Sequence, residues 1–270
     1  MKKIARLSGF LVVPALLLIS GSCSKDDGGG INFFSVSDDI ALGQQADEEI
    51  MADPATFQIL DSATHATAYQ HLYRIRNTIL NSGKLTYKDR FPWRCRIIVN
   101  DTIINAFCLP GGYMYFYTGI IKLLENEAQF GGVMAHEMAH ADRRHTTEML
   151  TAQYGIELLL NLILGENTNE MTEILLDLGM GLGTLAYSRQ NEYEADSYAV
   201  QYLYPTELDA QSLEYFFEIM SGQPYPPAFL STHPSPEDRL QKIEEKFQEL
   251  GGINGGTFQA RYEEFKNSLP

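Results

Sequence analysis

Residues 125–145, ENEAQFGGVMAHEMAHADRRH, contain the pattern from which the rest of the domain can be placed. The stretch predicts one helix on which His136, Glu137 and His140 form an H-E-x-x-H motif. Residues four apart share a helix face, so both imidazoles can reach one Zn²⁺ ion, while Glu137, one step round, faces the side where a bound water would lie. Two histidines placed for packing or on the surface are the alternative interpretation.

A third ligand is predicted from residues 188–196, SRQNEYEAD. Glu192 and Asp196 share a helix face, so Glu192 can bind the ion while Asp196 reaches the outer nitrogen of a ligand histidine. Three protein ligands leave one position for water, which is typical of a catalytic rather than a structural zinc site. Glu194 is the competing ligand, but it lies about 200° round the helix from Glu192 and would face away from Asp196.

Three other histidines are predicted to lie outside the site. His145 is nine residues past His136, about 180° round a continuous helix, so it cannot join the same ion and is interpreted as structural. His65 and His71 belong to an amphipathic helix with no acidic or cysteine cluster nearby, and a surface role is expected for them.

The surrounding pattern predicts an α+β fold, mostly helical, with a small antiparallel sheet enclosed by helices. Helical periodicity begins at Ser37 and ends before Pro54, and a second helix is expected from His65 to Leu80. Three strands are expected at Arg94–Asn100, Ile103–Leu109 and Tyr113–Tyr117, the first two joined as a hairpin at Asp101-Thr102. After Ile120 the pattern is helical.

Such a hairpin would place Cys95 opposite Cys108. A disulfide between directly opposed cysteines requires strain, and two small buried apolar side chains are the alternative. The sequence leaves this question open.

Length and composition are those of a folded domain of about 200 residues with appendages, since 44% of the 270 residues are hydrophobic. The formal net charge is −15, with 35 acidic against 20 basic residues. An acidic surface repels a polyphosphate backbone, so nucleic acid is not an expected partner.

The N-terminus resembles a bacterial lipoprotein signal. Lys2, Lys3 and Arg6 precede an apolar run from Leu7 to Ile19, about 20 Å as a helix and short of the roughly 30 Å bilayer core. Small residues then lead to Cys23, the expected lipidated residue. A plain secretory signal cut nearby is the alternative. The expected organisation is a signal peptide at 1–22, a flexible tether at 23–37, a domain with the zinc motif at 38–250 and a tail at 251–270.

Several separated motifs, spread over residues 38–245, carry a resemblance to a known family. They are Ala41-Leu42-Gly43-Gln44-Gln45, Val99-Asn100-Asp101, Asn105 to Gly112, the H-E-x-x-H helix, Ser188 to Asp196, and Thr232-His233-Pro234 with Arg239. The chain resembles the gluzincin metallopeptidases that include the CAAX prenyl endopeptidase, the Oma-type mitochondrial protease and the periplasmic β-barrel assembly-enhancing protease. It looks like a stand-alone lipoprotein form, without their multiple spans or tetratricopeptide repeats.

The resemblance implies that His136, His140 and Glu192 bind one zinc ion and that Glu137 is the general base. It also implies that Asp196 and Arg239 support the ligands. His233 is expected to stabilise the oxyanion or, alternatively, to occupy the open metal position in a latent state. The segment from Gly111 to Thr118 resembles the edge strand on which the peptide substrate lies, with contacts expected from Asn105, Gly111, Gly112, Tyr113, Met114 and Tyr115.

The function expected from these patterns is that of a zinc-dependent endopeptidase that cleaves unfolded or misassembled envelope proteins. It would be held on a bacterial membrane by its lipid anchor and face the periplasm or the outside. The alternative is a non-catalytic lipoprotein that assists protein assembly through the same groove, although pure binding would need no base at Glu137. The oligomeric state and the natural substrate do not follow from the sequence.

Overall fold

The computed structural model describes residues 24–25, 31–163, 173–177, 186–221, 228–234 and 238–270. The expected signal peptide and Cys23 therefore lie outside the described residues. Within the described part, no helix combines the length and the hydropathy needed to cross a bilayer.

Ten numbered helices and five strands make up the described fold. The strands are β1 (Ser24–Lys25), β2 (Ile31–Asn32), β3 (Arg94–Ile98), β4 (Ala106–Leu109) and β5 (Tyr113–Tyr117). The helices are α1 (Val36–Ala52), α2 (Ala66–Leu80), α3 (Thr118–Leu123), α4 (Glu127–Asp142), α5 (His145–Ile163), α6 (Arg189–Leu203), α7 (Ser212–Ser221), α8 (Ala228–Thr232), α9 (Arg239–Glu249) and α10 (Gln259–Asn267). Residues 173–177 are also helical. The predicted α+β class is confirmed.

The main sheet has the order β3-β5-β4, which differs from the predicted antiparallel arrangement. β5 pairs in parallel with β3 and antiparallel with β4, so the sheet is mixed. The predicted hairpin between the first two strands is wrong, because β5 lies between them. The prediction that residues 111–118 form an edge strand is also wrong, because both edges of β5 are occupied by neighbouring strands.

The strand order explains the state of the two cysteines. Cys95 and Cys108 are both aligned with Met114, on opposite sides of β5. Strands two positions apart are separated by about 10 Å, too far for a disulfide. Both thiols are free and buried, as the second of the two sequence interpretations proposed.

The turn that joins β4 to β5 packs tightly on α1. Gly111 and Gly112 have φ values of 76° and 83°, which suit glycine. A Cβ at Gly43 would lie 1.8 Å from the Pro110 carbonyl oxygen, and one at Gly111 would lie 2.9 Å from the Ile40 Cα. The motif from Ala41 to Gln45 and the motif from Asn105 to Gly112 therefore form the two sides of one contact between α1 and the sheet.

Both ends of the described chain are more firmly packed than the sequence suggests. Asn32 and Phe34 are buried, and the Asn32 amide donates to the Thr147 hydroxyl at 2.9 Å, so the predicted flexible tether does not extend to residue 37. The predicted tail contains α10, whose Tyr262 and Phe265 are fully buried in the main core. The domain therefore includes the C-terminal residues.

Helix α4 is the centre of the molecule, since all sixteen of its residues are buried. The sheet packs on α4 through β4, while α6 and α7 pack on other parts of its surface. A second layer, α9, lies on α6 and α7. This arrangement places the H-E-x-x-H motif where four elements meet.

Candidate metal centre

Two capped helices hold the central side chains. α4 begins after Asn126, whose side chain accepts a hydrogen bond from the Gln129 N–H, and α6 begins with a capping box between Ser188 and Asn191. Capping residues hold the start of a helix in place, which sets the direction of the side chains that follow. Glu192 lies in the first turn of α6 and is directed toward the middle of α4.

The structure brings His136, His140 and Glu192 together. The two Nε2 atoms are 3.0 Å apart, and the Glu192 carboxylate lies 3.6 Å from His136 and 3.5 Å from His140. His233, contributed by the end of α8, joins them, with its Nδ1 3.1 Å from Glu192 and 3.3 Å from the His136 Nε2. One ligand atom from each of the four residues lies within 4.8 Å of the others, and all four side chains are buried.

Asp196 and Arg239 lie behind this cluster and contact its members. Asp196 lies 3.0 Å from the Nδ1 of His136, on the side away from the cluster. Arg239 is 1% exposed and donates to both oxygens of Asp196 at 2.6 and 2.7 Å. It also pairs with Glu192 at 2.6 Å, so one guanidinium orients two carboxylates.

The protonation states are those that metal binding requires. Burial lowers the pKa of His136, and burial lowers the pKa of His140 even further, so both imidazoles are neutral near pH 7. Burial alone would raise the pKa of Glu192, but the charges of His233 and Arg239 hold it well below its usual value. The cluster therefore offers two neutral imidazoles and an ionised carboxylate.

The direction of the nitrogen lone pairs fits a cation. The Asp196 carboxylate favours the proton on the His136 Nδ1, which leaves the Nε2 of that ring with only a lone pair. This lone pair converges with the Nε2 of His140 and with a carboxylate, all without exposure to water. Such a concentration of electron pairs is unfavourable unless a positive ion lies among them. The residues present thus fit a bound metal ion.

Glu137 lies beside the cluster rather than within it. Its Oε1 is 3.5 Å from the Nε2 of His233, and its side chain is fully buried. Burial raises the pKa of Glu137 to about 7, although the His233 charge opposes the increase. A carboxyl with a pKa near neutrality can both accept and return a proton, which is what a general base needs.

His233 is held in place by its backbone and by an aromatic neighbour. The Tyr187 N–H donates to the Thr232 carbonyl at 3.1 Å, and the Phe229 N–H donates to the Ile104 carbonyl at 3.1 Å, so α8 is bonded to the residues just before α6 and just before β4. The Phe229 ring stacks on the His233 imidazole at 4.2 Å. Burial lowers the pKa of His233, but Glu137 and Glu192 outweigh burial and raise it overall.

Glu194 faces away from the cluster, as the helix phase predicts. Its carboxylate accepts a hydrogen bond from the Arg143 Nε at 2.7 Å, and it is not among the four clustered residues. His145 is likewise outside the cluster, but for a different reason than the sequence suggested. α4 ends at Asp142 and Arg144 has a φ of 61°, so His145 begins a new helix and comes within 3.0 Å of His140.

The residues predicted to contact substrate are packed inside the domain. Tyr113, Met114 and Tyr115 are at most 4% exposed in the central strand, and Gly111 and Gly112 form the turn against α1. Asn105 is buried, and its carbonyl accepts from the Tyr117 N–H. The outer side of the sheet nearest the metal centre is therefore the edge of β4, not of β5.

Sequence reasoning missed Tyr187, which stacks on His140 with ring centres 3.9 Å apart. Its hydroxyl and that of Thr146 are 2.9 Å apart and share a hydrogen bond. The only local signal was its position directly before the Ser188 motif, and an aromatic residue there does not indicate a partner on another helix.

Comparisons with known proteins agree with this geometry. The model of peptidase family M48 matches residues 66–246. A putative β-barrel assembly-enhancing protease of Vibrio cholerae is 28% identical over 71% of this chain and 45% of its own length. The mitochondrial metalloendopeptidase OMA1 of Schizosaccharomyces pombe is 30% identical over 76% of this chain and 59% of its own. The β-barrel assembly-enhancing protease of Escherichia coli is 30% identical over 53% of this chain and 32% of its own. The chain thus spans less than two thirds of the length of each of these relatives.

Proposed function

Since this chain belongs to peptidase family M48, we propose that it is a zinc-dependent endopeptidase. The observation that carries the proposal is the buried convergence of His136, His140 and Glu192, with the carboxylate of Glu137 beside them. A site meant only to bind metal would not need an unligated carboxyl whose pKa is raised to about 7.

Zinc is the metal that this donor set favours. Two imidazole nitrogens and one carboxylate oxygen on helices match the three protein ligands of catalytic zinc sites. Ca²⁺ and Mg²⁺ prefer sites made of oxygen ligands alone. We propose one zinc ion per chain, held by His136, His140 and Glu192.

The proposed reaction assigns separate tasks to the neighbouring side chains. Bound zinc would supply a Lewis acid for the scissile carbonyl and lower the pKa of water. Glu137 accepts the proton of the attacking water and returns it to the leaving amine. His233, which lies between Glu192 and Glu137, donates a hydrogen bond to the carbonyl oxygen as its negative charge develops. Asp196 and Arg239 hold the ligands still while these proton transfers occur.

The proposed substrate is an extended segment of an unfolded or misassembled protein. The Asn105 backbone faces β5, so by the alternation of strands the N–H and C=O groups of Ala106 and Cys108 face outward. Main-chain groups that face away from a neighbouring strand can hold a peptide through its own main chain, whatever its sequence. The clustered side chains are at most 1% exposed, which favours a thin extended chain over a folded surface.

The proposed location is a bacterial cell envelope, with the protein attached to a membrane through lipid on Cys23. The basic and apolar leader before Cys23 supports it, as do the names of the Vibrio cholerae and Escherichia coli relatives. If the proposal is right, Cys23→Ala removes incorporation of labelled palmitate when the full chain is expressed in a bacterium. Unchanged labelling contradicts the anchor but leaves the peptidase proposal intact.

The activity is tested with Glu137→Gln, which keeps the shape of the side chain but removes the base. Cleavage of unfolded casein should fall at least about a hundredfold, while zinc content stays near one ion per chain. Glu49→Gln, a change of the same kind at an exposed position of α1, serves as the control and should keep most of the activity. Full cleavage by Glu137→Gln would exclude this glutamate as the base.

A further inference from the structure

His140 makes a contact on its outer side that the proposed reaction does not use. We propose that His145 is a positioning residue, which holds His140 in the tautomer required of a metal ligand and is itself oriented by Glu194. This inference rests on the proposed metal site, and it concerns residues that the H-E-x-x-H pattern does not include.

The first step concerns the two nitrogens of His140. Its Nε2 faces His136 and Glu192 and must keep a lone pair free to bind an ion. The proton of this neutral ring is therefore on Nδ1. That atom lies 3.0 Å from the Nδ1 of His145, with the ring planes at 77°. One of these two nitrogens must donate and the other accept, so His140 donates and His145 accepts.

The second step concerns His145 itself. If its Nδ1 accepts a hydrogen bond, its own proton is on Nε2. This Nε2 is buried and faces the Oε2 of Glu194 at 3.6 Å. The separation exceeds a normal hydrogen bond, but at this range in a buried site the negative carboxylate still favours the proton on the nitrogen that faces it. Glu194 is held in turn by Arg143, at 2.7 Å.

The third step explains how the chain reaches this position. Arg144 adopts a φ of 61°, which interrupts the helix between α4 and α5. Its guanidinium is buried and donates from Nε to the Asp39 carboxylate at 2.5 Å. An energetically costly backbone conformation is thus stabilised by an ion pair with α1. The interruption turns the chain so that His145 lies against His140 instead of on the far side of a continuous helix.

The two ligand histidines are consequently supported in different ways. His136 meets the Asp196 carboxylate directly, whereas the His145 imidazole separates His140 from Glu194. Partners of this kind typically change metal affinity by roughly 10- to 100-fold. An imidazole relay orients His140 without placing another full negative charge against its ring.

The test compares two substitutions at one position in the zinc-loaded full chain. His145→Leu fills the space but cannot accept a hydrogen bond, whereas the amide oxygen of His145→Asn can replace Nδ1. Competition with a chelator should give zinc binding roughly 10- to 100-fold weaker for leucine and within about threefold of the parent for asparagine. His71→Leu, which replaces a half-buried histidine that stacks on Phe265, is the control and should leave affinity unchanged.

Two patterns of affinity would overturn the proposal. Equal zinc binding by the leucine and asparagine variants and the parent would mean that the contact has no role in metal binding. Equal weakening in both variants would mean that packing matters and the hydrogen bond does not. Loss of casein cleavage with zinc affinity intact would also contradict it, whereas a failure of the peptidase proposal alone leaves the affinities as predicted.

A measurement on the unsubstituted chain guards against variants that do not fold. Long-range ¹H–¹⁵N correlation spectra of the zinc-loaded protein report the tautomer of each histidine. His145 should carry its proton on Nε2 with an unprotonated Nδ1, and His140 should carry its proton on Nδ1. A proton on the Nδ1 of His145 would exclude it as the acceptor and end the proposal.

Discussion

At the scale of single residues, the two glutamates of α6 test the assignment of the third ligand. Glu192 faces the two histidines, whereas Glu194 pairs with Arg143 on another face. We expect Glu192→Ala to lose bound zinc and casein cleavage together, because two ligands seldom retain a catalytic zinc ion. Glu194→Ala should weaken zinc binding by less than about tenfold, since it acts only through His145. Metal analysis after gel filtration measures both, and the reverse order would contradict the ligand set.

Two opposite roles are expected for His233, and one substitution distinguishes them. Its Nδ1 lies close enough to Glu192 and His136 to complete a four-ligand site, while its Nε2 faces Glu137. If it assists at the oxyanion, His233→Ala should lower the cleavage rate by roughly a hundredfold. If it closes the metal position in a latent state, the same change should raise basal cleavage. Rates on casein and on a folded protein distinguish these results, and unchanged rates on both would leave His233 a structural residue.

At the scale of secondary structure, the contact between α1 and the β4–β5 turn holds the sheet beside α4. We expect Gly43→Ala to destabilise the domain by about 1–3 kcal/mol, because its Cβ would overlap the Pro110 carbonyl. The better helix propensity of alanine, about 1 kcal/mol, does not offset such a clash. Urea unfolding measures the loss. Ala41→Ser, at an exposed position of the same helix, should stay within about 0.5 kcal/mol of the parent.

The break between α4 and α5 is a second feature of the secondary structure that affects the site. Residues 125–145 have the periodicity of one helix, and the sequence analysis placed His145 on its far side for that reason. The left-handed conformation of Arg144 ends the helix three residues earlier. No local sequence pattern indicates this break, because the ion pair that stabilises it joins Arg144 to Asp39, 105 residues away in the chain.

At the scale of the whole molecule, the metal centre joins α4, α6 and α8, so the bound ion should stabilise the folded domain. A ligand at 1,000 times its dissociation constant contributes about 4 kcal/mol. For a domain of this size that corresponds to roughly 8–16 °C in Tm. We therefore expect a chelator to lower Tm by that amount in the parent and in Glu137→Gln alike. A Glu192→Ala variant should melt at the chelated temperature without chelator. Equal Tm values with and without chelator would mean that no ion is bound at the junction.

Much of the candidate site was accessible from the sequence because helix geometry is local. A spacing of four places His136 and His140 on one face, and the same rule selects Glu192 with Asp196 rather than Glu194. The helices α1 and α2 follow in the same way from the periodicity of their apolar residues and from Pro54. These features depend on residues that are close together in the chain, so they can be predicted without knowing the fold.

Contacts between distant segments required the tertiary structure. The sequence supplies the strand at Tyr113–Tyr117, but its place between β3 and β4 depends on pairing partners that local patterns do not specify. Local patterns also do not specify that Met114 lies between Cys95 and Cys108, or that Tyr262 and Phe265 are buried. They do not place His145 beside His140 either. Each results from packing between segments far apart in the chain, where many arrangements satisfy the local preferences and only the shared core selects one.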